Sequence, residues 1–248
     1  MDGARDSRIA IDKDIRRSGG NKVSSYTILV VGVEGSGHHA LKDLAQNWLT
    51  QSGLSDQVLA KDAEFARRLN RPAWSKRWMP GQRDVALDHD RVHQWLQAPR
   101  HVWIDASIPY GSGFGPPYTY VRGRVRSSFA WVDFHRIAEV SLDLGRQVCV
   151  IPLRRDPLFC SYSVWRRGHE LTKLNACVST ETSMFITQGI LASLPSPHLH
   201  FDYGEVVSAP VSSVKALKEQ FPFAIDLDAD KIRSRTPEEP TGIEYFKD

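Results

Sequence analysis

A glycine-rich turn with the spacing of a phosphate-binding loop lies near the start of the chain, at Gly32-Val33-Glu34-Gly35-Ser36-Gly37-His38-His39. Its glycines follow the GxxxxG pattern of a P-loop, in which backbone N–H groups leading into a helix N-terminus attract an anion. His38 and His39 stand where nucleoside triphosphatases place a lysine and a serine or threonine. We therefore expect phosphate binding at this loop, through Gly35, Ser36, Gly37 and both histidines, but not a standard magnesium-ATP site.

A second turn that can bind an anion is Arg155-Asp156-Pro157. Asp156 is suited to cap a helix and Pro157 to occupy its first position, since proline lacks the N–H group that would have no partner there. Arg155 then falls at the carboxyl end of a strand, where open α/β sheets bind ligands. A guanidinium group fits a phosphate dianion, and Ser163 on the following helix can share it. The alternative is a surface arginine beside a well-capped helix.

The elements that must position these residues follow from apolar runs and their period. Short apolar runs predict strands at about 26–32, 101–105, 148–153 and 198–202. Patterns between and after them predict helices at 38–51, 89–98, 131–144, 157–171, 181–193 and 211–220. Strands that alternate with helices predict an α/β fold with a parallel sheet covered on both faces. We expect irregular structure over 54–88 and a functional loop over 107–128, which is rich in glycine, proline and tyrosine.

Composition limits the class of protein. The 248 residues suffice for one α/β domain, which we place at 25–248 after a polar N-terminal arm at 1–24. The formal net charge of +3 is too small to indicate nucleic acid or membrane as a partner. The chain has three cysteines without metal-site spacing and no apolar run of about 20 residues. Residues 1–22 are polar and charged, so we expect no secretory signal there. We expect a soluble, cytoplasmic enzyme without a zinc site or a disulfide framework.

The two anion-binding turns together resemble the sulfotransferases that use 3′-phosphoadenosine 5′-phosphosulfate (PAPS). In that family a P-loop-like turn after the first strand binds the 5′-phosphate. An arginine and a serine eight positions later bind the 3′-phosphate, and Arg155 and Ser163 match that spacing. The segment 201–210 and the helix after it are similar to another family motif, so the resemblance extends from about residue 26 to 221.

This resemblance implies a P-loop NTPase-like sulfotransferase fold, a three-layer sandwich with a central parallel sheet. It also implies in-line transfer of a sulfuryl group from PAPS to a hydroxyl or amine, without a metal. Arg233 and Arg235 are the candidates to close over the 3′-phosphate. The segment 107–128 and three tryptophans are candidates to line the acceptor site, namely Trp74, Trp78 and Trp165.

The catalytic residues depart from the family pattern. Cytosolic members have a lysine at the position of Gly35, and their catalytic histidine has no counterpart in 105–109. His38 is then a candidate to contact the transferring group, and we expect the helix dipole to lower its pKa. Asp105 and Glu34 remain alternatives for the general base. His39 is expected to hold phosphate.

Two other functions fit the same loop. One is a P-loop kinase with a degenerate loop that uses magnesium-ATP, in which Asp105 would be the candidate to bind the metal. The other is a nucleotide-binding domain without catalytic activity. His89 and His93 are four residues apart, but no third ligand accompanies them, so we expect no metal there.

Overall fold

The fold alternates strands with helices along most of the described chain. The computed structural model describes residues 25–52, 59–60, 84–85, 89–97, 101–108, 119–121, 124–126, 131–168, 170, 172–195 and 199–233. The strands are β1 (Tyr26–Val33), β2 (Leu59–Ala60), β3 (Asp84–Val85), β4 (His101–Ile108), β5 (Thr119–Val121), β6 (Arg124–Arg126), β7 (Trp131–Val132), β8 (Gln147–Arg154) and β9 (Phe201–Asp202). The helices are α1 (His38–Leu44), α2 (Gln46–Gln51), α3 (His89–Gln97), α4 (Phe134–Asp143), α5 (Pro157–Arg166), α6 (Lys173–Ser193), α7 (Tyr203–Ser208), α8 (Pro210–Gln220) and α9 (Asp230–Arg233).

A five-stranded sheet forms the centre, in the order β2-β4-β1-β8-β9. Each neighbouring pair in it runs parallel. Two smaller sheets pair β3 with β7 and β5 with β6. The predicted α/β fold with a parallel sheet is confirmed.

Strand β1 is buried along its whole length because both faces of the sheet are covered. Ile28 and Val30 belong to a core cluster that includes Leu41 of α1. Leu29, which points to the opposite face, belongs to a second cluster that includes Ile137 of α4. Alternate residues of one strand thus contribute to two separate cores.

Several predicted elements differ at their boundaries. The single helix predicted over 38–51 is two helices, α1 and α2, that meet at Ala45. The helix predicted from 131 begins at 134, because the Asp133 side chain caps it by accepting a hydrogen bond from the Arg136 N–H at 2.9 Å. Helix α5 ends at 166 rather than 171, and β9 is limited to two residues.

The largest correction concerns α6, which begins at Lys173 rather than at 181. Its cap is Thr172, whose side chain accepts a hydrogen bond from the Asn175 N–H at 3.1 Å.

The predicted arm at 1–24 and most of 54–88, including Trp74 and Trp78, lie outside the described residues. Within 107–128, the strands β5 and β6 pair antiparallel, a hairpin that the sequence did not predict.

The ladder between β1 and β8 ends before β1 does. The last β1–β8 pair is Val31 with Pro152, whereas the β1–β4 ladder continues to Val33 with Ile108. Proline has no N–H group to extend a ladder. The carboxyl end of β1 is therefore paired on the β4 side only, and the glycine-rich loop follows directly.

Among the described helices, none combines the length and the apolar character needed to cross a membrane.

Candidate active site at the carboxyl edge of the sheet

The glycine-rich loop is a tight turn between β1 and α1 that requires glycine at three positions. A Cβ atom at Gly32 would lie 2.6 Å from Ser36 Oγ and 2.8 Å from Leu153 Cβ, which is too close. Gly35 and Gly37 have φ angles of +85° and +115°, in the region that favours glycine. Ser36 closes the turn, since its Oγ donates a hydrogen bond to the Val33 carbonyl at 2.7 Å.

Arg155 packs directly against this loop. Its Nη1 donates a hydrogen bond to the Gly35 carbonyl at 2.7 Å, across 120 residues of sequence. The guanidinium carbon lies 4.4 Å from the ring centre of Tyr203, a cation–π contact. A Cβ atom on Gly35 would lie 3.1 Å from Ser163 Cβ, so the serine also borders the loop. The structure thus brings Arg155, Ser163 and the glycine-rich loop together.

His38 lies under the loop and pairs with Asp105 on β4. Its Nδ1 forms a short contact with Asp105 Oδ1, and the two residues are 7% and 4% exposed. Burial alone would lower the pKa of His38, but the Asp105 carboxylate, with help from Glu34 and the Gly32 carbonyl, raises it above the ordinary 6.5. Our expectation of a lowered pKa is wrong, because the sequence does not reveal that a carboxylate faces this imidazole.

The raised pKa changes the chemistry available to His38. A buried imidazolium beside a carboxylate supplies positive charge and a proton rather than a base. The other ring nitrogen, Nε2, is buried and forms no hydrogen bond within the described part of the chain. His38 is therefore placed to stabilise a negatively charged group at the loop.

Glu34 is the more accessible carboxylate of the site. Its Oε2 accepts a hydrogen bond from Ser107 Oγ at 2.7 Å, and its Oε1 lies 2.7 Å from Nη1 of Arg167. The Glu34 side chain is 21% exposed and that of Arg167 is 44% exposed. Because exposed ion pairs are weak, this carboxylate can exchange Arg167 for another partner.

Glu170 is a buried acid near the loop that no sequence motif predicted. It is 3% exposed, and burial raises its pKa to about 7. A hydrogen bond with Ser179 acts in the opposite direction and lowers the pKa by a smaller amount. One of its oxygens, Oε1, has no hydrogen-bond partner among the described residues. No motif marks this position, since it lies just beyond the end of α5.

The remaining predicted residues have mixed outcomes. His39 is half-buried in the first turn of α1. Arg233 is the last residue of α9, but its side chain and the whole of Arg235 lie outside the described residues. Ser107 and Arg167, which hold Glu34, were missed because neither belongs to a recognisable spacing.

Within the described ranges, no three His, Cys, Asp or Glu side chains are grouped as metal ligands would be. His89 and His93 stack on each other with ring centres 6.2 Å apart.

In comparisons with known proteins, neither a protein-family model nor a curated protein matches the chain.

Proposed function

We propose that the protein is a sulfotransferase that moves a sulfuryl group from PAPS to a hydroxyl or amine of a small molecule. The observation that carries this proposal is the contact between Arg155 and the Gly35 carbonyl, with Ser163 on the same side of the loop. A donor with two separate phosphate groups needs two adjacent anion-binding elements, and these residues provide them. The P-loop-like sulfotransferase fold is part of the same proposal, supported by the parallel sheet with the loop after β1.

Each residue has a role in this reaction. The loop N–H groups and His39 hold the 5′-phosphate, while Arg155 and Ser163 hold the 3′-phosphate. PAPS supplies the sulfuryl group: the acceptor oxygen or nitrogen bonds to sulfur as the sulfur–oxygen bond to the 5′-phosphate breaks. The electron pair of that bond stays on the phosphate oxygen. The His38 imidazolium stabilises this developing charge, as preorganised cations do in other transfer reactions.

Glu34 is the better candidate for the general base. Asp105 is buried in its pair with His38, so taking up a proton there would remove the charge that keeps His38 protonated. Glu34 reaches solvent, and its partners include Ser107 and the exposed Arg167. It can accept the proton of the acceptor as the new bond to sulfur forms.

Calorimetric titration tests the donor class. We expect adenosine 3′,5′-bisphosphate to bind with EDTA present and more tightly than ADP, because ADP lacks the 3′-phosphate. Preference for magnesium-ATP would contradict the proposal and support the degenerate kinase. If none of these nucleotides binds, the proposal fails.

Arg155→Ala tests the assignment of the 3′-phosphate site. Loss of a charged hydrogen bond should weaken the bisphosphate roughly tenfold to a hundredfold. ADP should weaken far less, and only through the lost contact between Arg155 and the loop. The matched control is Arg154→Ala, since Arg154 is the exposed last residue of β8. Equal weakening of both nucleotides by Arg155→Ala would remove the role assigned to this residue.

A further inference from the structure

The glycine-rich loop has a titrating side chain at the position where nucleoside triphosphatases place a lysine. That residue is His38, which is buried at the first position of α1. A lysine keeps its charge at neutral pH, because its ordinary pKa is about 10.4. The charge of a histidine instead depends on pH in this range. The loop therefore has a positive charge that can be lost.

The ring of His38 faces hydrogen-bond acceptors from two strands. Its Nδ1 contacts Asp105 Oδ1 on β4, and the carbonyl of Gly32 on β1 also favours the charged ring. A protonated ring has two N–H groups, whereas a neutral ring has one. Loss of the proton leaves one N–H for the carboxylate and no positive charge for the carbonyl dipole. Because Gly32 is the first glycine of the loop, the state of the ring affects the backbone that would hold an anion.

Loss of the proton also changes the charge beside the loop by one unit. Asp105 and Glu34 are the carboxylates that raise the pKa of His38. Arg167 pairs with Glu34, and Arg155 is the cation that contacts the loop backbone. When the ring becomes neutral, the buried charge of Asp105 is no longer balanced by it. This negative charge opposes the binding of an anion at the loop.

Other charged groups near α1 belong to the elements packed around it. Strand β9 and helix α7 border the loop at Gly37, and helix α9 packs against the far end of α1, where the Asp228 N–H donates a hydrogen bond to the Leu44 carbonyl at 2.9 Å. The charged or titratable residues on β9, α7, α9 and the rest of α1 are Asp202, Glu205, Asp230, Lys231, His39, Lys42 and Asp43. The pKa of His38 responds to burial, Asp105, Glu34 and the Gly32 carbonyl.

We propose that the glycine-rich loop binds its anion in the protonated state of His38, and that Asp105 is the positioning residue that maintains this state at neutral pH. This inference rests on the proposed function, in which the loop holds the donor phosphate. It adds a form of regulation, because pH would control donor binding as well as catalysis. The coupling is reciprocal, so a bound dianion should raise the pKa of His38 further.

Inorganic sulfate tests the inference on the full-length protein. Sulfate keeps both negative charges near neutral pH, whereas a phosphate monoester changes its charge at about pH 6. NMR titrations from about pH 6 to about pH 9 follow the loop amides with sulfate and the His38 ring without it. We expect the affinity to fall by about tenfold for each pH unit above the pKa of the ring, since one proton is linked to one anion.

Two variants move this pH profile in different ways. Asp105→Asn should shift the midpoint of sulfate binding below 6.5, together with that of the ring. His38→Lys places a lasting charge at the same position and should give a flat profile up to about pH 9. The matched control is His135→Gln, since His135 also lies beside a carboxylate, Glu139 at 3.2 Å, but is 58% exposed. It should keep the wild-type profile.

Three results would each overturn the inference. They are a flat profile in the wild type, a sulfate midpoint that does not follow the ring, and a His38→Lys profile that still falls like the wild type. If Asp105→Asn does not fold, the wild type and His38→Lys decide the question.

Failure of the proposed function gives a different pattern. If sulfate binding follows His38 while adenosine 3′,5′-bisphosphate does not bind, the pH-dependent loop stands and the assignment to PAPS falls. If the bisphosphate binds through Arg155 with an affinity that does not follow His38, the proposed function stands and the inference falls.

Discussion

Two buried polar clusters at opposite ends of the parallel sheet differ: one surrounds Arg146 and the other lies beside the glycine-rich loop. At the amino end, Arg146 is 5% exposed and donates hydrogen bonds to Thr27 Oγ1, the Leu96 carbonyl and the Tyr26 carbonyl at 2.8–3.0 Å. At the carboxyl end, three buried atoms have no partner among the described residues: His38 Nε2, Glu170 Oε1 and Thr180 Oγ1. Outside these two clusters, Trp103 Nε1 on β4 is also buried without a partner in the described part of the chain.

This difference indicates a structural role for the Arg146 cluster and a binding role for the cluster beside the glycine-rich loop. Arg146 ties helix α3, strand β1 and the start of β8 together, and its hydrogen bonds are used within the protein. The carboxyl end retains unused hydrogen-bonding capacity, which lowers stability unless a ligand uses it. Open α/β sheets bind ligands at that end, so the contrast agrees with the site proposed above.

The largest effect is expected at the amino end. Arg146→Met should lower the free energy of unfolding by about 4 kcal/mol, because three buried acceptors lose their donor together. Urea denaturation measures this loss, and Arg136→Met on the exposed face of α4 is the control, expected to change stability by about 0.5 kcal/mol or less. Nucleotide affinity of the folded variant should be unchanged. A loss below about 1 kcal/mol would contradict the structural role of Arg146.

An intermediate effect is expected from Glu170, whose pKa burial raises from 4.5 to about 7. Between these two values the folded protein keeps the proton and the unfolded chain has lost it. The contribution of Glu170 to the free energy of unfolding should therefore be complete below pH 4.5 and be lost as the pH rises through 7, a change of about 3 kcal/mol. Urea midpoints measured across this range for the wild type and Glu170→Gln report the difference.

Glu170→Gln should lose this pH dependence, because glutamine does not titrate. Glu181→Gln, at an exposed position of α6, should keep it. If the free energy of unfolding of Glu170→Gln still falls between pH 4.5 and 7 as in the wild type, Glu170 is not the group that causes the pH dependence.

The smallest of the three effects is expected at the His38–Asp105 pair. Asp105→Asn removes the main group that raises the pKa of His38, so burial should then lower that pKa below 6.5. We expect a loss of about 2 kcal/mol near pH 6, less than for an unpaired buried charge since the histidine can lose its proton. Asp143→Asn, at an exposed position of α4, is the control.

The sign of the pH dependence sharpens this test. With Asp105 present, the stabilisation from His38 is complete below pH 6.5 and is lost as the pH rises through the raised pKa. In Asp105→Asn, stability should instead fall as the pH drops below 6.5. An NMR titration of the His38 ring that gave the same pKa in both proteins would contradict the pairing.

The sheet could be predicted from the sequence because its strands are buried on both faces. The runs that form β1 and β8 are mostly apolar, and β4 begins with a shorter apolar run, so these strands could be predicted without tertiary information. The closeness of Arg155 to the loop was also expected, since both follow parallel strands whose ends meet at one edge.

Other features could not be predicted because their contacts join distant parts of the chain. His38 and Asp105 are 67 residues apart, and only the pairing of β1 with β4 brings them together. The first turns of α6 were missed because the buried side of this helix includes serine and threonine, which give no hydrophobic period. Glu170 has no motif at all, and its burial is visible only in the fold.

Pro152 has a consequence for how this protein tolerates changes in length. Side chains of a strand alternate in direction, so the number of residues between the last β1–β8 pair and Arg155 sets the side from which the guanidinium approaches the loop. An insertion or deletion of one residue there would reverse this parity and direct a different side chain to the Gly35 carbonyl. The short stretch from Pro152 to Arg155 is therefore a segment of fixed length, in which indels should be far more damaging than substitutions at the exposed Arg154.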